Sequence, residues 1–300
     1  SERLAAPPLR LDEAKQAAFA TLWQAVKAAG DGRYIDYTLP YPKHEFLRYV
    51  DQLDEVIFHG SNNADIAEFR PVRTSYELRD STGRGNLQAV YGTHDGIWAM
   101  FFAIIDRQRL VGSINNGVMY FENAAGETLA MYNFSVSEQS LAERPWCAGT
   151  MYLLPRDTFV RLELGNGVPA NEWASETAVR PLARLALQPE DFPFLTDIRG
   201  HDDGQLIRFN ELSRVVLAAA TGAAEPQPDV FRLTLDWRAE LGPALLEYVA
   251  LLREFVPTVR LALQFEPENG PVRLEIGGPP AFAQVLRGRL GEKLGVSREP

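Results

Sequence analysis

The chain has 300 residues, 46% apolar and 23% charged, proportions of a globular protein with room for a sizeable core. A formal net charge of −10 and the lack of any long Lys/Arg run argue against a phosphate-backbone binder and disfavour a nucleic-acid partner. Cys147 is the only cysteine, which rules out an internal disulfide and a cysteine-based zinc site and fits a reducing compartment.

Taken in order, residues 11–30 place Leu11, Ala14, Ala18, Leu22, Val26 and Ala29 at helical spacing, and Gly30-Asp31-Gly32 ends that helix. His44 to Leu53 predicts a second, short helix. Val56-Ile57-Phe58 reads as a short buried strand that closes on His59 and opens into a turn at Gly60-Ser61. Ala64 to Phe69 suggests one helical turn, and Ser81 to Asn86 is the most loop-like stretch of the first half. Val90-Tyr91 predicts a strand, with Thr93 or Asp95 capping a strongly apolar helix from Trp98 to Ile105. Asn115-Asn116-Gly117 reads as a turn, after which the texture becomes β.

Val118–Phe121 and Thr128–Phe134 form a predicted hairpin, followed by strands at Gly149–Leu154, Phe159–Leu164 and Leu182–Leu187. Gly165-Asn166-Gly167 is a turn between strands rather than a dinucleotide fingerprint, lacking its third glycine. Residues 197–204 and Gly222 to Asp229 look like linkers, which makes His201-Asp202-Asp203 a solvated loop. Beyond them come a strand at Phe231–Asp236, a helix at Pro243–Val256, a hairpin of Val259–Phe265 with Val272–Ile276, and a helix at Phe282–Leu290. The expected fold class is α+β, with a helical segment over 1–50, a main domain over 51–203 and a small α+β domain over 204–300.

No window reaches the roughly 18 consecutive apolar residues of a membrane helix. Ser1-Glu2-Arg3-Leu4 lacks the apolar core of a secretory signal, so the expectation is a cytoplasmic protein with no membrane partner.

Three segments stand out because each sets a chemically useful side chain at a strand edge. They are His59-Gly60-Ser61, Val90-Tyr91-Gly92-Thr93 and Ala170-Asn171-Glu172-Trp173, the last a polar turn entering a strand. In that order they resemble the motifs of the ADP-ribosyltransferase fold in its His-Tyr-Glu branch, which includes poly(ADP-ribose) polymerases and the diphtheria-toxin type. Bacterial rifampin ADP-ribosyltransferases are similar, with a different third residue. The resemblance covers about residues 50–195 and implies a split β-sheet domain, here preceded by helices and followed by the small α+β unit.

The resemblance also implies an enzyme that uses NAD as substrate and cleaves the nicotinamide–ribose bond, by ADP-ribosyl transfer or by hydrolysis. Positive charge builds on the ribose as that bond breaks, and Glu172 would stabilise it. The Gly60 backbone and the Ser61 hydroxyl would hold the nicotinamide amide, and Tyr91 would stack on its ring. His59 would bind the distal ribose, and Phe101 or Phe102 would close the stack.

Glu176 competes with Glu172 for the carboxylate role, on the same strand face if the strand is regular, with Glu172 preferred for its Asn-Glu-Trp context. Arginine-modifying members carry a Glu or Gln where Ala170 stands, so the arginine-specific reading loses support. The acceptor is open and no metal is expected. Singly, His59 reads as a satisfied strand-terminal histidine, Tyr91 as a half-buried aromatic and Glu172 as a solvated turn residue; their joint occurrence carries the reading. The alternative is a non-catalytic NAD- or ADP-ribose-binding module with the C-terminal domain as its output.

Overall fold

The structure, a computed structural model, describes residues 4–71, 87–122, 128–163, 169–227, 230–256, 258–268, 270–278 and 297–298. The first elements are β1 (Leu4–Ala5), α1 (Glu13–Ala29) and α2 (Lys43–Asp51). The Asp12 side chain caps α1 by accepting from Lys15 N, and Gly30 ends it in the left-handed conformation at φ 58°. Phe19, Trp23, Val26, Phe46, Leu47 and Val50 bury one face of the two helices in the main hydrophobic core.

Six strands form the first sheet: β2 (Val56–Ser61), β3 (Val90–Thr93), β6 (Gly149–Pro155), β7 (Val160–Glu163), β8 (Pro169–Ser175) and β9 (Ala183–Leu187), in the order β7-β8-β3-β2-β6-β9. Every pairing in it is antiparallel. One of its two central strands, β2, has neighbours on both edges, and its residues Val56, Ile57 and Phe58 are an unbroken apolar run buried on both faces.

Helix α3 (Gly96–Ile104) lies against this sheet. Eight of its nine residues are buried, as a helix that is apolar all round requires. A second sheet is built on the long hairpin β4 (Ile114–Glu122) and β5 (Thr128–Ser137). β1 pairs antiparallel and β10 (Arg199–His201) parallel with β5. The short helix α4 (Glu138–Glu143) follows β5 directly.

The remaining elements are α5 (Asp203–Ala218), β11 (Ala220–Gln227), β12 (Val230–Leu235), α6 (Leu241–Phe255), β13 (Arg260–Phe265), β14 (Val272–Gly277) and β15 (Ser297–Arg298). The strands pair in the order β13-β14-β12-β11-β15. Phe231, Leu233, Leu235, Leu245, Leu252, Val272, Leu274 and Ile276 give them a hydrophobic cluster of their own. The molecule is therefore α+β.

Several sequence expectations require correction. Ala64–Phe69 forms no helical turn, because its backbone is claimed elsewhere: the Tyr152 hydroxyl donates to Asn63 O and accepts from Ile66 N, and Phe69 bridges to Val179. Asn115-Asn116-Gly117 is no turn but the body of β4, paired with Ser135, Phe134 and Asn133. Residues 197–204 are no linker: Arg199–His201 is a strand, and Asp202 caps α5 by accepting from Gly204 N and Gln205 N. Gly222 to Gln227 lies inside β11, whose register shifts absorb the glycine and Pro226. Ala170–Trp173 lies within β8 rather than in a turn before it. The expectations for Ser81–Asn86, Gly165–Gly167 and Phe282–Leu290 fall outside the described residues.

Backbone contact between α3 and the sheet is sharpest at two glycines. A Cβ on Gly60 would stand 1.9 Å from Ala99 O and 2.8 Å from Ala103 N; one on Gly149 would stand 1.9 Å from Ala103 O. Around Gly222 nothing lies within 4 Å. Gly60→Ala and Gly149→Ala should each destabilise by roughly 3 kcal/mol or more, whereas Gly222→Ala should change stability by less than about 1 kcal/mol. Urea unfolding midpoints of the three variants check this contrast.

Candidate functional site

Cross-strand partners in an antiparallel sheet share a face. Glu172 on β8 is opposite Thr93 on β3, and Thr93 is opposite Phe58 on β2. Tyr91 and Gly60, two residues along from Thr93 and Phe58, take that same face, the one on which α3 lies. His59 takes the reverse face, where its ring meets Phe69 edge-on at 4.7 Å. Its Nδ1 is 2.7 Å from Tyr91 O. A carbonyl only accepts, so the Nδ1 proton is fixed there and Nε2 is the acceptor nitrogen of the neutral ring.

A cleft of about 620 Å³ opens at this place, within the size range of small-molecule sites. Its walls include every residue the sequence reading selected for the site: His59, Gly60, Ser61, Tyr91, Phe102 and Glu172. Phe101, the alternative to Phe102, is fully buried and packs on Phe134 at 4.8 Å. Glu176 lies past the end of β8 and is exposed, so the regular strand that would align it with Glu172 does not extend that far. The cleft walls include Glu172 and not Glu176.

The structure adds residues that sequence reasoning did not select. Ile114, Asn115 and Asn116 enter from β4, so the second sheet supplies one wall. Trp98 and Ala99 come from α3, and Arg107 from just beyond it, its guanidinium 6.0 Å from the Phe102 ring. Glu68 and Arg70 line the cleft as well. Glu68 accepts from Arg70 Nε at 2.8 Å and from Arg180 Nε at 3.3 Å. These two bonds hold its carboxyl below the ordinary range. No alternation marked the β4 residues in the sequence: Asn115 and Asn116 are both polar, and Met119 and Phe121 interleave with Val118 and Tyr120, so only the pairing with β5 reveals the strand.

Asp95 sets the helix between the two sheets. It caps α3 by accepting from Trp98 N at 2.7 Å, while its other oxygen accepts from the Tyr120 and Tyr132 hydroxyls at 2.6 and 2.7 Å. Burial pushes this carboxyl above its ordinary value, against the opposing pull of those three donors.

Ser113, His201 and Asp203 meet near the start of α5, but not as a proton relay. Ser113 Oγ and Asp203 Oδ1 both lie on the Nε2 side of His201, at 2.9 and 3.2 Å, and Nδ1 faces Ser135 Oγ at 2.9 Å. A nucleophilic triad needs hydroxyl and carboxylate on opposite ring nitrogens. The cluster instead pins β10 and α5 to the β4–β5 hairpin. Among the described residues, no group of three or more His, Cys, Asp or Glu side chains is arranged to hold a metal, and no helix is long and apolar enough to cross a membrane.

Removing the cap should be costly, because it leaves two tyrosine hydroxyls and a backbone N–H without a partner. Asp95→Ala should lose roughly 3 kcal/mol or more in denaturant unfolding, with Asp95→Asn losing less. Asp203 gives a pH signature. Burial raises its carboxyl, but the bonds from Ser113 and the His201 ring outweigh this and hold it below its ordinary 3.8. Its stabilising contribution is therefore complete above pH 3.8 and is lost as pH falls through the lower folded value. Melting curves should show Asp203→Asn less stable than wild type at neutral pH, the gap narrowing below pH 3.8.

Compared with protein-family models, with curated proteins and with solved structures, the chain shows no significant match, so the reading of its function stands on the cleft.

Proposed function

We propose that the chain binds NAD in this cleft and cleaves the nicotinamide–ribose bond, as an ADP-ribosyltransferase or an NAD glycohydrolase of the His-Tyr-Glu type. One observation carries the reading: three segments far apart in sequence converge on one cleft of about 620 Å³ that also excludes the rival Glu176. The separation of the β2-containing sheet from the β4–β5 sheet, with the cleft reached from both, supports a split-sheet domain.

In this reading the Gly60 backbone and the Ser61 hydroxyl meet the nicotinamide amide, and the faces of Tyr91 and Phe102 flank its ring. His59, its tautomer set by the Tyr91 carbonyl, holds the distal ribose. Glu172 opposes the positive charge that develops as nicotinamide departs, and accepts from a ribose hydroxyl. Tyr91 stands between these tasks: its main chain orients His59 while its hydroxyl donates to Leu87 O at 2.7 Å, which fixes the ring.

Nicotinamide release from NAD tests the reading. Wild type should release it, Glu172→Gln should be slower by roughly a hundredfold or more, and Glu176→Gln should resemble wild type. No release combined with a melting temperature raised by NAD or ADP-ribose would assign the cleft to binding alone. The absence of both nicotinamide release and a thermal shift would overturn the proposal.

A further inference from the structure

The orientation of the Asn116 side chain is dictated by a donor that has no alternative role. Trp98 Nε1–H donates to Asn116 Oδ1 at 2.6 Å. An indole nitrogen only donates, so the amide oxygen must face Trp98 and the two N–H bonds of Nδ2 must point the other way. Asn116 lines the cleft. The indole itself is held by α3, whose first turn is capped by Asp95 at Trp98 N. The donor is thus preorganised through a chain from Asp95 to Trp98 to Asn116.

Its neighbourhood identifies what it meets. Asn171, next to Glu172, donates from Nδ2 to Val118 O at 2.7 Å, and Val118 follows Asn116 on the same face of β4. The bond ties β8 to β4, and Glu172 from the one strand and Asn116 from the other both line the cleft, an acceptor and a donor from different sheets. A hydroxyl carries one O–H donor and two acceptor lone pairs, so it can donate to a carboxylate and accept from an amide simultaneously.

We infer that Asn116 and Glu172 bracket one hydroxyl of the ribose beside the scissile bond, with Asn116 as its hydrogen-bond donor and Trp98 as the positioning residue behind it. This rests on the NAD reading above and goes further by naming the group recognised and the residue that recognises it. A ligand without that hydroxyl would leave a preorganised donor unmatched, which makes the pair a determinant of specificity.

Asn116→Asp isolates the donor, because an aspartate oxygen still accepts from Trp98 while no N–H remains. Asn116→Leu removes the donor without adding charge. Calorimetric affinities for NAD, ADP-ribose and free nicotinamide, with melting temperatures as a folding check, form the experiment. Both variants should bind NAD and ADP-ribose roughly tenfold more weakly and bind nicotinamide as wild type does. Trp98→Phe, which releases the amide to rotate, should lie between them and wild type. Unchanged ADP-ribose affinity in Asn116→Leu, in a wild type that binds it, would overturn this inference and leave the NAD reading intact. A loss confined to Asn116→Asp would also overturn it, by assigning the effect to the added charge. Failure of wild type to bind either nucleotide would overturn the NAD reading and this inference with it.

Discussion

The geometry of the cleft depends on how closely α3 approaches the first sheet. Gly60 on β2 and Gly149 on β6 lie under Ala99 and Ala103, which are one turn apart on the helix, and neither glycine has room for a methyl group. A helix seated on backbone rather than on side chains is held at a single height and angle, because the interior is packed too densely to deform gradually. The residues of its first two turns, Trp98, Ala99 and Phe102, thereby become a fixed wall. Gly60 has a second consequence at the same point. The bare backbone that admits the helix on one side is also the unhindered backbone that a flat amide ligand would require.

Asp95 converts that seated helix into a joint between the two sheets. A buried carboxylate is expensive unless its lone pairs are filled, and here they are filled by the helix N-terminus and by two tyrosines of the β4–β5 hairpin. The favourable field of the helix N-terminus adds to those bonds. Because Tyr120 and Asn116 share a face of β4, the bond that ties the hairpin to α3 also sets the depth at which Asn116 enters the cleft. A second tie, from the Asn171 side chain to Val118 O, joins β8 to β4.

Composition alone would mislead at His201. Serine, histidine and aspartate come together there, and His201 is largely buried, its side chain 8% exposed. The order of contacts, with carboxylate and hydroxyl on one nitrogen and a second serine on the other, makes it a polar pin between chain segments. The same three residue types acquire a chemical role only when the ring stands between the nucleophilic hydroxyl and the orienting carboxylate.

The amino-acid sequence by itself determined the α+β class, a helix within residues 11–30, a short helix near 44–53, the buried strand at Val56 and the apolar helix through Trp98, with Thr93 or Asp95 to cap it. These follow from local causes: apolar periodicity, side-chain caps and chain-breaking glycine act within a few residues. It also singled out six of the residues that line the cleft, because their three segments, taken together and in order, resemble the motifs of a known fold. Only the tertiary structure sets Glu172 in the cleft wall and Glu176 outside it, since the end of β8 at Ser175 is set by its partners Val90 and Val160 to Glu163 across the ladder. The same holds for Asn115-Asn116-Gly117 and for Arg199–His201, whose local propensity is for turn or loop and whose backbone finds its partners in β5. Pairing with a distant strand satisfies the backbone donors and acceptors along one side of such a segment, and that gain outweighs a weak local preference.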